Sequence, residues 1–283
     1  MNFCFIITEK CNWSCRYCFF PEIENQKQPK LEILEKHLPY IKDFSMDGFL
    51  EWKGIKYMDV QGGEIGLVPV DILEYFFTTI GQKMYVSTNG VFLNNNFHKN
   101  EKIRPFIEIV QWHVFPDPSG AYLVQDMIDN GIFISKGIVH HDIDQMIDFI
   151  NYNKYIMFHY IDFEYPIHIK LNHDREKYRE LYNKILPIEN LTKDAKNRIF
   201  KRINEWDQWR DICRKYNDSI MIDLVNEKIC LCQRNLHINV DLNEENLKRR
   251  FKVAPIDFFD LSGTTCESCG RLYEGKTRRL QRV

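Results

Sequence analysis

Short β-rich apolar runs that alternate with helix-length amphipathic segments predict an α/β protein. Its parallel strands are expected to curl into a partly open barrel over residues 1–190, with a smaller cysteine-rich hairpin-plus-helix region over 191–283. Two observations support that division. The strands carry apolar side chains on one face and polar ones on the other, and the alternation stops near residue 186, beyond which Cys213, Cys230, Cys232, Cys266 and Cys269 gather.

Strands are expected at 2–8, 56–61, 83–88, 107–115, 132–139 and 154–163, and helices near 30–44, 69–81, 95–104, 120–130, 142–152 and 173–186. Pro69-Val70-Asp71 and His141-Asp142 read as helix starts. Alternation alone allows a doubly wound sheet or a barrel. Parity separates them: Asp59 and Gln61 oppose Met58 and Val60, Tyr85 and Ser87 oppose Met84 and Val86, and Gln111 and His113 oppose Val110, Trp112 and Val114. A uniformly apolar face suits outer helices, and a polar face suits a lumen that binds something.

A formal charge of −2 offers no electrostatic case for a nucleic-acid or membrane partner, and no apolar run reaches the length of a bilayer span. With no signal-type segment at the N-terminus, a cytoplasmic location is expected. Nine cysteines in such a chain read as metal ligands or catalytic thiols rather than disulfides.

Immediately after the first strand stands Cys11-Asn12-Trp13-Ser14-Cys15-Arg16-Tyr17-Cys18. Three soft thiolates from one loop select zinc or an iron-sulfur cluster, and three, rather than four, leave one metal position open. The stretch resembles the signature of the radical S-adenosylmethionine (SAM) superfamily, with Tyr17 at its aromatic position. A zinc loop with a distant fourth ligand is the alternative. The resemblance implies a partial (β/α)6 TIM-like barrel with sites at the C-terminal strand ends. It implies a four-iron four-sulfur (4Fe-4S) cluster on Cys11, Cys15 and Cys18 whose fourth iron chelates SAM. One-electron reduction, from a low-potential donor such as flavodoxin or ferredoxin, then yields a 5'-deoxyadenosyl radical.

The same resemblance places cofactor contacts at further strand ends. Gly62-Gly63-Glu64 matches the family's G-G-E, which contacts the methionine amino group; the glycines permit close backbone approach. Ser87 and Asn89, in Ser87-Thr88-Asn89-Gly90, are expected near the SAM pocket, although an Asn-Gly turn is the plain reading. His113 stands where relatives carry a serine that contacts SAM, and Ser135, with Lys136 and Gly137, falls where they contact the adenosyl portion.

In the last third, Ser219 to Val225 and Lys228 to Cys232 read as a β-hairpin over Asn226-Glu227. This resembles the twitch domain, a shortened SPASM extension, and implies a second 4Fe-4S cluster on Cys213, Cys232, Cys266 and Cys269. Cys230 and Cys232 are alternates by spacing, the turn glycine common in relatives is absent, and a Cys4 zinc site fits the same ligands. Lys248-Arg249-Arg250 and Lys276-Thr277-Arg278-Arg279 are basic clusters without an aromatic stacking pattern, so nucleic acid is not indicated.

The expected activity is hydrogen-atom abstraction from a substrate carbon of a small molecule or a peptide, with a net oxidation as outcome. Tyr160, Asp162 and Glu164 are candidates to face that substrate. A redox-neutral epimerase or mutase is the alternative, with Cys230 as candidate hydrogen donor. A non-catalytic metal-stabilised binding module is the reading from another class.

Overall fold

Phe3, Phe5 and Ile7 alternate with Cys4 and Ile6, so the first strand feeds apolar groups to both faces of a sheet. The computed structural model describes residues 2–13, 26–47, 58–115, 132–140, 142–163, 175–204, 219–231, 238–253 and 258–259. The elements in order are β1 (Asn2–Ile6), α1 (Leu31–Asp47), β2 (Met58–Gln61), α2 (Val70–Ile80), β3 (Met84–Thr88), α3 (Val91–Asn94), β4 (Ile107–His113) and β5 (Phe133–His140). They continue as α4 (Ile143–Tyr152), β6 (Tyr160–Phe163), α5 (Arg175–Ile185), α6 (Lys193–Asn204), β7 (Ser219–Asp223), β8 (Lys228–Cys230), β9 (Asn239–Asp241) and α7 (Glu244–Lys252).

All these strands form one nine-stranded sheet in the order β6-β5-β4-β3-β2-β1-β7-β8-β9. From β6 to β7 every neighbouring pair is parallel, and β8 and β9 are antiparallel additions. β1 therefore pairs with β2 on one side and with β7 on the other, Cys4 lying between Asp59 and Met221. The C-terminal hairpin continues the sheet past β1.

The strand parity expected from the sequence holds. Met58, Val60, Met84, Val86, Val110 and Trp112 are buried, while Asp59, Gln61, Tyr85, Ser87, Gln111 and His113 on the other face are partly open. Leu73, Phe76, Phe77 and Ile80 of α2 pack on the apolar face, with Phe76 edge-on to Phe5 at 5.3 Å. Pro69 precedes α2, which ends at Gly81 in the left-handed conformation (φ 68°). Asp142 caps α4 by accepting from Gln145 N–H at 3.0 Å.

Three local expectations are corrected. Over 95–104 there is no helix; α3 and short 3-10 turns at Phe97–Lys99 and Arg104–Phe106 make the crossover. The cause is asparagine: Asn96 turns left-handed (φ 57°), and Asn100 Oδ1 accepts from the N–H groups of Lys102 and Ile103 at 2.9 and 3.2 Å. β6 starts at Tyr160 rather than 154, because Asn190 Nδ2 lies within 3.1–3.2 Å of the carbonyls of Ile150, Asn153 and Ile156 and holds that segment as a turn. β7 and β8 are joined by four residues, Leu224 to Glu227, rather than two. α6 was not foreseen; Ala195, Ile199 and Ile203 form its buried stripe. The helix expected at 120–130 lies outside the described residues.

Candidate functional site

Backbone pairing between β1 and β2 runs on past both strands and brings the Cys11 stretch against the double glycine. Gly63 N–H donates to Thr8 O at 2.7 Å and Glu64 N–H to Lys10 O at 2.6 Å. A Cβ on Gly62 would lie 2.2 Å from Thr8 O, and one on Gly63 would lie 2.1 Å from Lys10 O. Any side chain there would push the Cys11 stretch off the sheet edge.

Cys11 is partly buried, and its position is set from three directions. Its N–H donates to Gln26 Oε1 at 2.8 Å, Trp13 N–H donates to its Sγ at 3.4 Å, and Asn89 Nδ2 lies 3.7 Å from that sulfur. Hydrogen-bond donors around sulfur favour the thiolate, the form that ligates metal.

Glu64 is fully buried, and its carboxylate is used inside the protein. Oε1 accepts from Gly66 N–H at 2.8 Å, Thr88 Oγ1 at 2.7 Å and Phe92 N–H at 3.2 Å, and Oε2 accepts from Asn89 N–H at 2.6 Å. Burial raises its pKa, opposed by the hydrogen bonds from Asn89, Thr88, Gly66 and Phe92. Glu64 thus fixes Asn89, and Asn89 in turn reaches Cys11 and, at 2.7 Å, Asn12 Oδ1. The Asn89 Oδ1 atom is buried and accepts no hydrogen bond among the described residues.

The remaining polar face extends from this point. Ser87 and Ser135 lie on either side of Gln111 in register, and Ser87 Oγ stands 3.5 Å from Gln111 Oε1. His113 pairs in register with Gly137, where a Cβ would collide with the Tyr160 ring; that ring lies edge-on to His113 at 5.6 Å. Burial pushes the His113 imidazole down to about 4, so it is neutral at neutral pH. Asp59 sits deeper on the same face, pushed up to about 7 by burial. Cys230 is 2 % exposed, packed with Cys4, Ile6 and Met221.

The structure therefore brings Cys11, Gly62, Gly63, Glu64 and Asn89 together at the C-terminal ends of β1, β2 and β3. It sets Ser87, Ser135 and His113 along the polar face, and buried Cys230 falls on that same side of the sheet, packed on Met221 and Cys4 next to Asp59. Cys15, Tyr17, Cys18, Cys213, Cys232, Cys266 and Cys269 lie outside the described residues, as do Glu164 and the 276–279 cluster. Reading the sequence missed Thr88 and Gln26. Thr88 had a signal, a hydroxyl on the otherwise apolar parity of β3, whereas nothing marks Gln26. In the basic run of α7, Lys248 pairs with Glu244 at the exposed surface, Arg249 lies over the Phe258 ring at 5.5 Å, and Arg250, 2 % exposed, donates to Val253 O at 3.0 Å.

No protein-family model matches the chain, and no curated protein matches it. Among solved structures it is similar to Streptococcus suis SuiB bound to S-adenosylmethionine, with TM-score 0.51 and 17 % identity over 82 % of this chain and 60 % of that one. It is similar also to SuiB bound to the precursor peptide SuiA, with TM-score 0.53 and 15 % identity over 96 % of this chain and 70 % of that one. This chain thus spans 60–70 % of the length of the matched chains. At such identity the likeness is one of fold. Among the described residues no helix is long and apolar enough to cross a membrane.

Proposed function

We propose that the chain is a radical SAM enzyme that acts on a peptide. The observation that carries the reading is the Cys11 thiol, held at the end of β1 among N–H donors and beside the unsatisfied Asn89 Oδ1. That donor set fits a cluster ligand, and a buried orphan acceptor beside it fits a bound group that donates hydrogen bonds, as an ammonium does. Cys11, Cys15 and Cys18 would hold a 4Fe-4S cluster, which supplies reductive cleavage of SAM to a 5'-deoxyadenosyl radical.

The chain's own part is placement and enclosure. The double glycine seats the Cys11 stretch on the sheet, Glu64 orients Asn89, and the row Gln61, Ser87, Gln111 and Ser135 offers neutral hydrogen-bonding groups to adenosine and substrate. The polar face, curled as a partial barrel, would keep water from the abstracted carbon. Likeness to a fold that holds a precursor peptide makes a peptide the first substrate class to test. A second cluster on Cys213, Cys232, Cys266 and Cys269 would serve as one-electron acceptor, so a net oxidation is the outcome we favour. Cys230, buried on the polar side of the sheet beside Cys4 and Met221, is the candidate hydrogen donor of the redox-neutral alternative.

Anaerobic iron and sulfide analysis with electron paramagnetic resonance, on wild type and on a variant with alanine at 11, 15 and 18, tests the reading. Wild type should bind a cluster and release 5'-deoxyadenosine from SAM under dithionite, and the variant should lose both the signal and the product. A colourless, iron-free wild type that leaves SAM intact would overturn it.

A further inference from the structure

The turn between β7 and β8 reaches back to the chain on both sides of residues 10–26. Glu9 and Lys27 meet there: Glu9 N–H donates to Lys27 O at 3.0 Å, and Lys27 N–H donates to Glu9 Oε2 at 3.1 Å. Asn226 closes the pair from outside. Its Nδ2 donates to Glu9 Oε1 at 2.7 Å, and its Oδ1 accepts from Lys27 Nζ at 2.8 Å. Two residues on from Glu9 and one before Lys27, Cys11 N–H donates to Gln26 Oε1 at 2.8 Å, so the Cys11 backbone hangs on the same closure.

Asn226 is itself held firmly. Asp223, 3 % exposed, accepts from the N–H groups of Val225 and Asn226 at 2.9 and 3.0 Å and from Asn226 Nδ2 at 2.8 Å. Leu224 N–H donates to Ile6 O at 2.9 Å, which pins the start of the turn to the end of β1. The amide faces the buried carboxylate of Glu9 with its donor and the Lys27 ammonium with its acceptor. A carboxylate in that place would repel Glu9 and Asp223, and an aliphatic group would satisfy neither partner.

We propose that Asn226 is a positioning residue for Cys11. The C-terminal hairpin clamps Glu9 to Lys27 and thereby sets where the Cys11 stretch leaves the sheet, without touching the thiol. The consequence for a cluster rests on the proposed function; the clamp does not. Bringing the two ends of a loop together costs entropy that the ligands would otherwise have to supply, so the clamp pre-organises the thiol.

Hydrogen exchange on the full-length apo protein tests this, comparing wild type, Asn226→Ala and Lys27→Met. Loss of Asn226 removes bonds to charged partners, so exchange at 7–13 and 26–30 should rise roughly tenfold or more, with 84–88 and 107–113 unchanged. Lys27→Met, which removes a single exposed bond, should move the same peptides in the same direction by less, and it decides the matter should Asn226→Ala fail to fold. After anaerobic reconstitution with iron and sulfide, Asn226→Ala should surrender iron to a ferrous chelator several-fold faster than wild type and shift its paramagnetic resonance signal, effects a merely structural turn residue would not produce. Exchange at 7–13 equal to wild type in the folded variants would overturn the clamp. Should wild type take up no iron, the proposed function fails while the exchange result still decides the clamp.

Discussion

Glu64 shows how much one buried carboxylate can organise. Its oxygens accept from Gly66, Thr88, Asn89 and Phe92, tying the end of β2 to the segment after β3. In Glu64→Gln an NH2 group replaces one acceptor and faces N–H donors with nowhere to turn. The expected cost is about 2–4 kcal/mol in urea unfolding, from lost charge-assisted bonds and unsatisfied donors. Cys11 reactivity toward iodoacetamide should change with it, through Asn89.

Asp59 carries the opposite lesson. Its carboxyl is pushed up to about 7 by burial, above its unfolded value, so the folded state prefers the protonated form. Stability is therefore fullest below the unfolded pKa and falls as pH rises toward about 7. Asp59→Asn should stabilise the protein at pH 8, on the order of 2 kcal/mol after allowance for partial exposure, and bring little gain near pH 4. Equal effects at both pH values would place Asp59 in a solvated setting. The sequence marked Asp59 only as polar parity on β2. Its burial depends on neighbours brought by β1 and β3, which a linear pattern does not reveal. Gly62 and Gly63 were legible as sites of close backbone approach, but that approach is by Thr8, Glu9 and Lys10. Sequence spacing cannot say which backbone comes close.

Among the elements, strands were legible because period-two alternation survives in β2, β3 and β4 almost residue for residue. What escaped were the segments where asparagine side chains take backbone groups: the crossover after β3 and the approach to β6. In the β7–β8 turn the side chain that takes backbone groups is Asp223, which accepts from the N–H groups of Val225 and Asn226. Glu227 occupies the left-handed conformation (φ 53°) that the missing turn glycine would take without strain. Its carboxylate binds Lys36 at 2.5 Å and the buried His37 at 2.7 Å, and Lys36, then His37, hold its pKa down. The exposed lysine contributes little, whereas His37 would be left without this partner if the carboxylate were removed. Glu227→Ala loses the latch and keeps the strain, while Glu227→Gly loses the latch and gains back about 1 kcal/mol of strain. Denaturant unfolding should thus rank wild type above Glu227→Gly and Glu227→Gly above Glu227→Ala. A glycine variant more stable than wild type would show that the latch to α1 is weaker than the strain.

At the scale of the whole molecule, the pairing of β1 with β7 changes what the cysteine-rich third of the chain is for. A boundary near 190 follows from composition and the end of strand–helix alternation. Yet the register Phe3↔Ile220, Cys4↔Met221, Phe5↔Ile222 and Ile6↔Asp223 makes β7 the second neighbour of the strand that presents Cys11. Removing everything beyond residue 204 would strip β1 of one ladder, expose Ile6 and Cys4, and leave an apolar parallel edge of the kind that recruits other chains. Such a fragment should be insoluble or oligomeric, and the full chain should unfold in one transition whether followed by far-ultraviolet circular dichroism or by tryptophan fluorescence. A monomeric fragment with native exchange protection at 58–61 and 84–88 would instead make the hairpin a true appendage. The reason to expect the first outcome is the direction of support: Asn226 and Leu224 brace Glu9 and Ile6 from the C-terminal side. The proposed cofactor loop then owes its position to residues more than two hundred places away in the sequence.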